Sequence, residues 1–489
     1  MTGSRVARAS LWAIAGGGGQ YLITFLLLVY LAHSLNPRDF GLMATVTIGL
    51  DLGMQIARWG QVELLQQSRY RSDDARNQAM RVSVAIASIF AAIFATIAKP
   101  LAEYYASPEL AWMFWLCAPV FVLSSLSATA EGILRSEFRF RLLAYRGTMT
   151  AAVGGVVAVG LVALGYNGIA LAAQRLVQAL IAVVWVWSSV SWRPSFGRTI
   201  RYSRELLRDG ASLMTGMILP LIVPRAIDLF VSVTLGPAPL GLLRIAFRIF
   251  EFVGQMVIMP LVGVATAQLS QFPGDVAGMR RSYLRFTQVS AALICPLMIG
   301  FALVAPEAVP ILFGPQWLSS VPLVQMVSIL ALTAPPNYFY PSAMVALGKS
   351  QLVLKQGAFQ VVVGLLLAGF AAQYSLTAVL IAQIVRGIVL SAYNAVDLRR
   401  HMMLSFREML RCMTPPYVAT AVMAVAMGGA RYGLVGHTSP LAMMLAMITV
   451  GSVAYTLAIL LGVRLRIWPD FLLIFSRWMP KRLQRVLLI

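Results

Sequence analysis

Apolar blocks of spanning length alternate with short polar connectors along the whole chain. A helix that crosses a bilayer needs about 20 mostly apolar residues. On that basis the pattern predicts fourteen spans, at 10–33, 40–66, 79–98, 110–133, 146–165, 168–190, 210–235, 239–266, 285–305, 322–346, 352–371, 376–395, 414–431 and 441–463. Connectors as short as Tyr166-Asn167 and Gly236-Pro237-Ala238 make the helices on either side antiparallel. The first apolar run, Ala9 to Ala32 behind Arg5 and Arg8, exceeds the roughly 7–15 residues of a signal-peptide core. It is expected to be a retained first span, and no separate soluble domain is expected after it.

Composition moves the same way. Of 489 residues 59% are apolar and 12% charged, with a mean hydropathy of +0.78, against about 45–50% and about 25% in soluble domains. So little charge cannot cover a water-facing surface, and the fold class is an all-α polytopic membrane protein. Cys117, Cys295 and Cys412 lie far apart without a C-x-x-C, and His33, His401 and His437 are isolated. Neither a disulfide framework nor a metal site is suggested, and no cofactor is expected.

The basic residues then give an orientation. Most of the 39 lysines and arginines fall in alternate connectors and at both termini, among them Arg69, Arg71, Arg76 and Arg81, then Arg135, Arg139, Arg141 and Arg146, and later Arg399, Arg400, Arg407 and Arg411. The opposite side holds Arg38, Lys99 and Arg431. The positive-inside rule places both termini in the cytoplasm, which also requires an even number of spans. The net charge of +21 is thereby explained by topology and anionic lipid headgroups, with no nucleic-acid partner. The segment Arg464–Ile489, with Trp468 and Trp478, reads as a basic amphipathic cytoplasmic tail.

Two loops repeat. Leu35-Asn36-Pro37-Arg38-Asp39-Phe40-Gly41-Leu42 and Leu235-Gly236-Pro237-Ala238-Pro239-Leu240-Gly241-Leu242 share Leu, Pro, Gly and Leu at an offset of 200 residues. A weaker echo links Ala173-Gln174 to Ala382-Gln383. Two six-helix lobes entering the membrane in the same direction are expected, at 1–190 and 210–400, with a cytoplasmic linker at 191–209, an appended helix pair at 401–463 and the tail at 464–489. Such lobes suit alternating access.

Enzyme motifs are missing. Gly348-Lys349-Ser350 has Ala343 where a phosphate-binding loop needs its first glycine, and it follows an apolar helix instead of a strand. Gly16-Gly17-Gly18-Gly19 sits inside a span, where glycines give a bend or close helix packing. The informative residues are ionisable groups in the spans, since a charge at the centre of a membrane helix costs about 2.5–3.5 kcal/mol. These are Arg58, Arg175, Arg225, Arg244, Arg248 and Arg386, with Asp51, Asp228 and Glu251 at similar depth and Glu63 and Glu131 nearer the cytoplasmic ends.

Spacing separates them. Arg225 and Asp228, and likewise Arg248 and Glu251, are three apart on one helical face, so each pair is either structural or functional. Arg175 and Arg386 have no acid in their own spans, and Asp51 is two turns from Arg58. Arg58, Arg175 and Arg386 are therefore the leading candidates for a cationic cavity, with Arg225, Arg244 and Arg248 joining them; snorkelling or a partner on a neighbouring helix is the competing explanation. A guanidinium stays charged and presents a planar fork to phosphate, so a phosphate or pyrophosphate headgroup is the ligand expected. Asp51 and Asp228 are candidates for ion or proton coupling. Pro220 and Pro224 are expected to interrupt span seven, and Pro335-Pro336 span ten.

The segment Leu35–Gln67, from Asn36-Pro37-Arg38-Asp39-Phe40-Gly41 to Val62-Glu63-Leu64-Leu65-Gln66-Gln67, resembles the opening of bacterial polysaccharide flippases. So do Leu312-Phe313-Gly314-Pro315-Gln316-Trp317-Leu318 and the turn Leu235–Leu242. The resemblance is to the polysaccharide transporter branch (O-antigen-type oligosaccharide flippases) of the multidrug/oligosaccharidyl-lipid/polysaccharide (MOP) flippase superfamily. It implies a MATE-like fold in the bacterial inner membrane, moving undecaprenyl-pyrophosphate-linked oligosaccharide to the outer leaflet. It also implies a polysaccharide polymerase and export machinery as partners. With Gln20 and no arginine beyond Arg8 in the first span, the lipid II flippases are a poorer match. A MATE-like drug/cation antiporter would favour an acidic or neutral cavity. A membrane enzyme acting on lipid-linked sugar would need carboxylates beyond the lone Glu307 of the longest outer connector, 306–321.

Overall fold

The computed structural model describes residues 3–195, 203–272, 274–434 and 438–465, with side chains from Gly19 onward. The expected tail beyond Leu465, the linker stretch 196–202, His437 and the side chains of Arg5 and Arg8 lie outside the described residues. Every regular element among the described residues is helical. In chain order these are α1 (Gly3–Ser34), α2 (Pro37–Arg58), α3 (Gln61–Leu64), α4 (Asp73–Tyr104), α5 (Pro108–Ser136), α6 (Phe140–Ala163), α7 (Asn167–Ser189), α8 (Arg204–Thr234) and α9 (Pro237–Val253). There follow α10 (Met259–Leu269), α11 (Val276–Phe313), α12 (Val321–Thr333), α13 (Pro335–Ala346), α14 (Ser350–Ala371), α15 (Leu376–Met402), α16 (Phe406–Leu434) and α17 (Pro440–Arg464).

Among the described residues twelve helices are long and apolar enough to cross a membrane. Their outward faces carry Val156, Val184, Leu366, Phe370 and Leu461, all exposed. That surface suits hydrocarbon and not water, so the protein is a multi-span membrane protein. The two expected spans beyond these twelve are 10–33 and 414–431. In α1 the apolar stretch described is Gly19–Ser34, and α16 is diluted by Pro415, Pro416, Gly428 and Gly429.

The chain divides into two compact units, Met1–Arg244 and Ile245–Ile489. In the first, α2 lies against α4, α5 and α8. An aromatic cluster fills its core: Phe94 packs on Phe114 and Phe121 with ring centroids 4.7 and 4.9 Å apart, and Phe90 on Phe121 at 5.8 Å. Asn36 caps α2, its side chain accepting the Asp39 N–H at 3.0 Å while the Asp39 carboxylate accepts the Asn36 N–H at 3.3 Å. Pro37, whose missing N–H would be unpaired there anyway, occupies the first turn. Pro237 opens α9 in the same way. The two repeated turns meet face to face. A Cβ on Gly41 would strike the carbonyl oxygen of Pro237, and a Cβ on Gly241 the carbonyl oxygen of Pro37. The repeated glycine is thus a reciprocal close approach of two helix starts, which no side chain permits.

The second unit packs the long α11 against α12, α16 and α17, with Met423, Met427, Met443 and Met447 filling the space beside Val304 and Ala308. Its broken span follows from backbone chemistry. Pro335 and Pro336 supply no N–H, which orphans the carbonyls of Ala331 and Leu332, and the helix stops at Thr333. Side chains take over: the Cys295 thiol donates to Ala331 O at 3.5 Å and the Tyr417 hydroxyl to Leu332 O. Asn337 Nδ2 donates to Thr333 O at 2.8 Å, joined there by the Ser391 hydroxyl at 3.1 Å. The expectation for span seven fails. Pro220 and Pro224 both sit inside the continuous helix α8. A proline that removes one donor leaves the helix intact, and so does the doublet Pro415-Pro416 inside α16. The break at Pro335-Pro336 is distinguished by the side chains that take over its freed carbonyls. An irregularity not foreseen, a π-helical turn at Gly254–Ile258, separates α9 from α10.

Candidate functional site

Four ionisable residues meet in the first unit. Arg225 on α8 donates Nη1 to Asp228 Oδ2 at 2.8 Å and Nη2 to Asp51 Oδ2, on α2, at 2.5 Å. Arg244 on α9 donates Nη2 to the same Asp228 oxygen at 2.6 Å. The Asp228 side chain is 3% exposed and that of Asp51 23%. Two guanidiniums and two carboxylates thus form a neutral tetrad at membrane depth. The Arg225–Asp228 pair was readable from spacing. Asp51 was not placed by its own helix: it turns away from Arg58 and reaches an arginine 174 residues later. Each acid is held by at least one guanidinium.

Arg58 occupies the other end of α2. Its Nε donates to Ser124 Oγ on α5 at 2.8 Å, and it forms no ion pair among the described residues. Glu131, buried close enough to act on Arg58 electrostatically, is already shared by Arg135, at 2.6 Å, and Arg146, at 2.8 Å. Arg58, Arg135 and Arg146 outnumber Glu131 and the nearby Glu63, three cations to two carboxylates. Arg175 lies half-buried on α7 within electrostatic reach of Cys117.

In the second unit Arg386, half-buried on α15, donates Nε to Gln383 Oε1 at 2.8 Å and has no carboxylate within ion-pairing distance among the described residues. Arg248 does pair with Glu251, at 3.3 Å, but both side chains are nearly half exposed. Glu307, expected to stand alone, is held by Arg431 at 2.6 Å; the partner arrives from α16, out of reach of any local reading. A chain of buried amides escaped notice in the sequence. Gln356 on α14 donates to Asn394 on α15 at 3.1 Å, Asn394 to Asn337 on α13 at 2.8 Å, and Asn337 to Ser391 at 2.9 Å. Tyr340 donates to the buried Asp397 at 2.7 Å nearby. The signal available was uncharged: amides recurring inside apolar runs. Such polar cores tie membrane helices together where hydrophobic association gives no preference.

Comparison with known proteins places this geometry. The chain is 24% identical over 331 residues to the succinoglycan biosynthesis transport protein ExoT of Rhizobium meliloti (strain 1021), a match covering 68% of this chain and 67% of that one. Among solved structures it resembles the lipid II flippase MurJ in an inward closed conformation, with a TM-score of 0.75 at 12% identity over 94% of this chain and 99% of MurJ. It also resembles an inward-facing multidrug resistance MATE family transporter of the MOP superfamily, with a TM-score of 0.61 at 14% identity over 79% and 96% of the two chains. The fold is accordingly one shared by flippases and drug transporters, and the expectation of a poorer match to lipid II flippases concerns the first-span residues and not the architecture. The sequence pattern of the polysaccharide biosynthesis protein family matches residues 30–322. That span is more than half of the chain, and the protein belongs to this family.

Proposed function

We propose that the protein is a flippase that moves undecaprenyl-pyrophosphate-linked oligosaccharide, an exopolysaccharide, O-antigen or capsule repeat unit, from the inner to the outer leaflet of the bacterial cytoplasmic membrane. One observation carries the reading. Arg58, at the end of α2, and Arg386, on α15, are held by a hydroxyl and an amide, with no carboxylate within ion-pairing distance among the described residues. Guanidiniums without a direct ion pair in a membrane helix are costly unless an anion visits them, and a pyrophosphate offers oxygens for their fork. The related succinoglycan transport protein supports the substrate class. A drug/cation antiporter with this fold would favour an acidic or neutral cavity, and the excess of arginine, with Arg58 and Arg386 held by a hydroxyl and an amide, argues against it. No catalytic role is proposed for any residue, since Glu307 is committed to Arg431. The reading includes two lobes, 1–190 and 210–400, that rock in alternating access, and a polymerase and export machinery that take the product outside.

The test is lipid-linked oligosaccharide accessibility in a deletion strain carrying wild-type or Arg386→Ala protein. Cytoplasmic-leaflet repeat units should accumulate in the deletion and be cleared by wild type alone. Clearance by the variant as well would remove Arg386 from the mechanism. Absence of accumulation in a strain without another flippase would bring the antiporter forward.

A further inference from the structure

The tetrad has an asymmetry that the flippase reading does not require. Asp228 is almost wholly buried, stands one helical turn from Arg225, and serves Arg225 and Arg244 together. It is a fixed counter-ion. Asp51 comes from another helix, is the most exposed of the four, and is tied to Arg225 by one hydrogen-bonded pair. Arg225 has a further donor, Nε, that is buried and has no acceptor among the described residues. One carboxylate is therefore permanent and the other is displaceable.

We propose that Asp51 is an internal competitor for the transported anion: in the resting protein its carboxylate occupies the position on Arg225 that a phosphate of the lipid pyrophosphate takes when substrate is loaded. This rests on the flippase reading and adds a step to it. Exchange of one anion for another keeps Arg225 paired, so neither the empty nor the loaded protein leaves this guanidinium uncompensated, the state that would cost most. A phosphate can also take up the orphaned Nε beside Nη2, a two-pronged contact that the single Asp51 oxygen does not make. Displacement has a mechanical result. Asp51 ties α2 to α8, and the neighbouring tie along the same two helices is the Thr45–Ser232 hydroxyl pair, with oxygens 2.8 Å apart. Releasing the charged tie loosens this seam, which couples loading to helix separation.

The experiment uses the full-length protein in lipid nanodiscs, with farnesyl pyrophosphate as the probe. If the Asp51 pair holds most of the resting population, removing it lifts that penalty on apparent affinity, and Asp51→Asn should bind about tenfold more tightly than wild type. Arg225→Gln should bind more weakly than wild type. Because a poorly folded variant cannot gain affinity, tighter binding is not mimicked by damage. Equal or weaker binding by Asp51→Asn, with wild type binding and Arg225→Gln impaired, overturns the competition alone. No binding by either wild type or Asp51→Asn overturns the anion site itself. As a second readout independent of Asp51 substitution, Thr45→Cys with Ser232→Cys should form a disulfide whose yield falls severalfold with saturating probe. An unchanged yield with bound probe overturns the coupling.

Discussion

At the scale of single residues, the buried charges are organised by sharing. Glu131 accepts from Arg135 and Arg146 at once, and Asp228 from Arg225 and Arg244. A shared carboxylate satisfies two guanidiniums, so its loss strands both. Glu131→Gln should therefore cost about 3 kcal/mol of stability, the penalty for leaving a buried charge unpaired. Arg135 is more than a third exposed, so Arg135→Gln should cost under about 1 kcal/mol. Thermal unfolding of the two variants in detergent measures the difference, and equal losses would mean that the buried arginine finds another partner. Partnerships of this kind were legible only when local. Arg225–Asp228 and Arg248–Glu251 follow from three-residue spacing, whereas Asp51–Arg225 and Arg431–Glu307 join helices far apart in sequence. A linear pattern states where a charge must be neutralised but not by which helix.

At the scale of elements, hydropathy located the helices because a bilayer demands a fixed apolar length. Their interruptions were less readable. The proline doublet broke its span and the two separate prolines did not. Consecutive lost donors do not suffice, since Pro415-Pro416 lies inside the unbroken α16; at Pro335-Pro336, Cys295, Tyr417 and Ser391 are at hand for the exposed carbonyls. The repeated turns had a meaning that only packing reveals. Gly41 and Gly241 are equivalent positions in two helix starts that press on each other's proline carbonyls. Gly41→Ala and Gly241→Ala should each destabilise the protein by about 1–3 kcal/mol, since backbone must move to admit the methyl group. The double variant should lose less than the sum, because helices parted by one methyl already have room for the other. Melting temperatures of the three variants decide this; strictly additive or negligible losses would show that the crossing tolerates slack.

At the scale of the whole molecule, charge decides which way the protein faces, and so which way it transports. The connector after α3 carries Arg69 and Arg71, with Arg76 at the start of α4, and that after α5 carries Arg139, with Arg141 at the start of α6, whereas the connector Leu164-Gly165-Tyr166 between α6 and α7 carries no charge. Cationic segments resist crossing to the outside during insertion, so the first two should be cytoplasmic and the third outside. Arg71 and Tyr166 are both exposed, which makes them suitable reporters. In cells with a permeable outer envelope, Tyr166→Cys should react with a membrane-impermeant maleimide, and Arg71→Cys only after the inner membrane is opened. The reverse pattern would turn the protein over. The arginine-rich ends of α2 and α5, with Arg58 and the Glu131 cluster, would then face the outer leaflet, where a lipid-linked oligosaccharide is delivered and not collected. Export would no longer fit the placement of these charges, whatever the affinity of the tetrad for pyrophosphate.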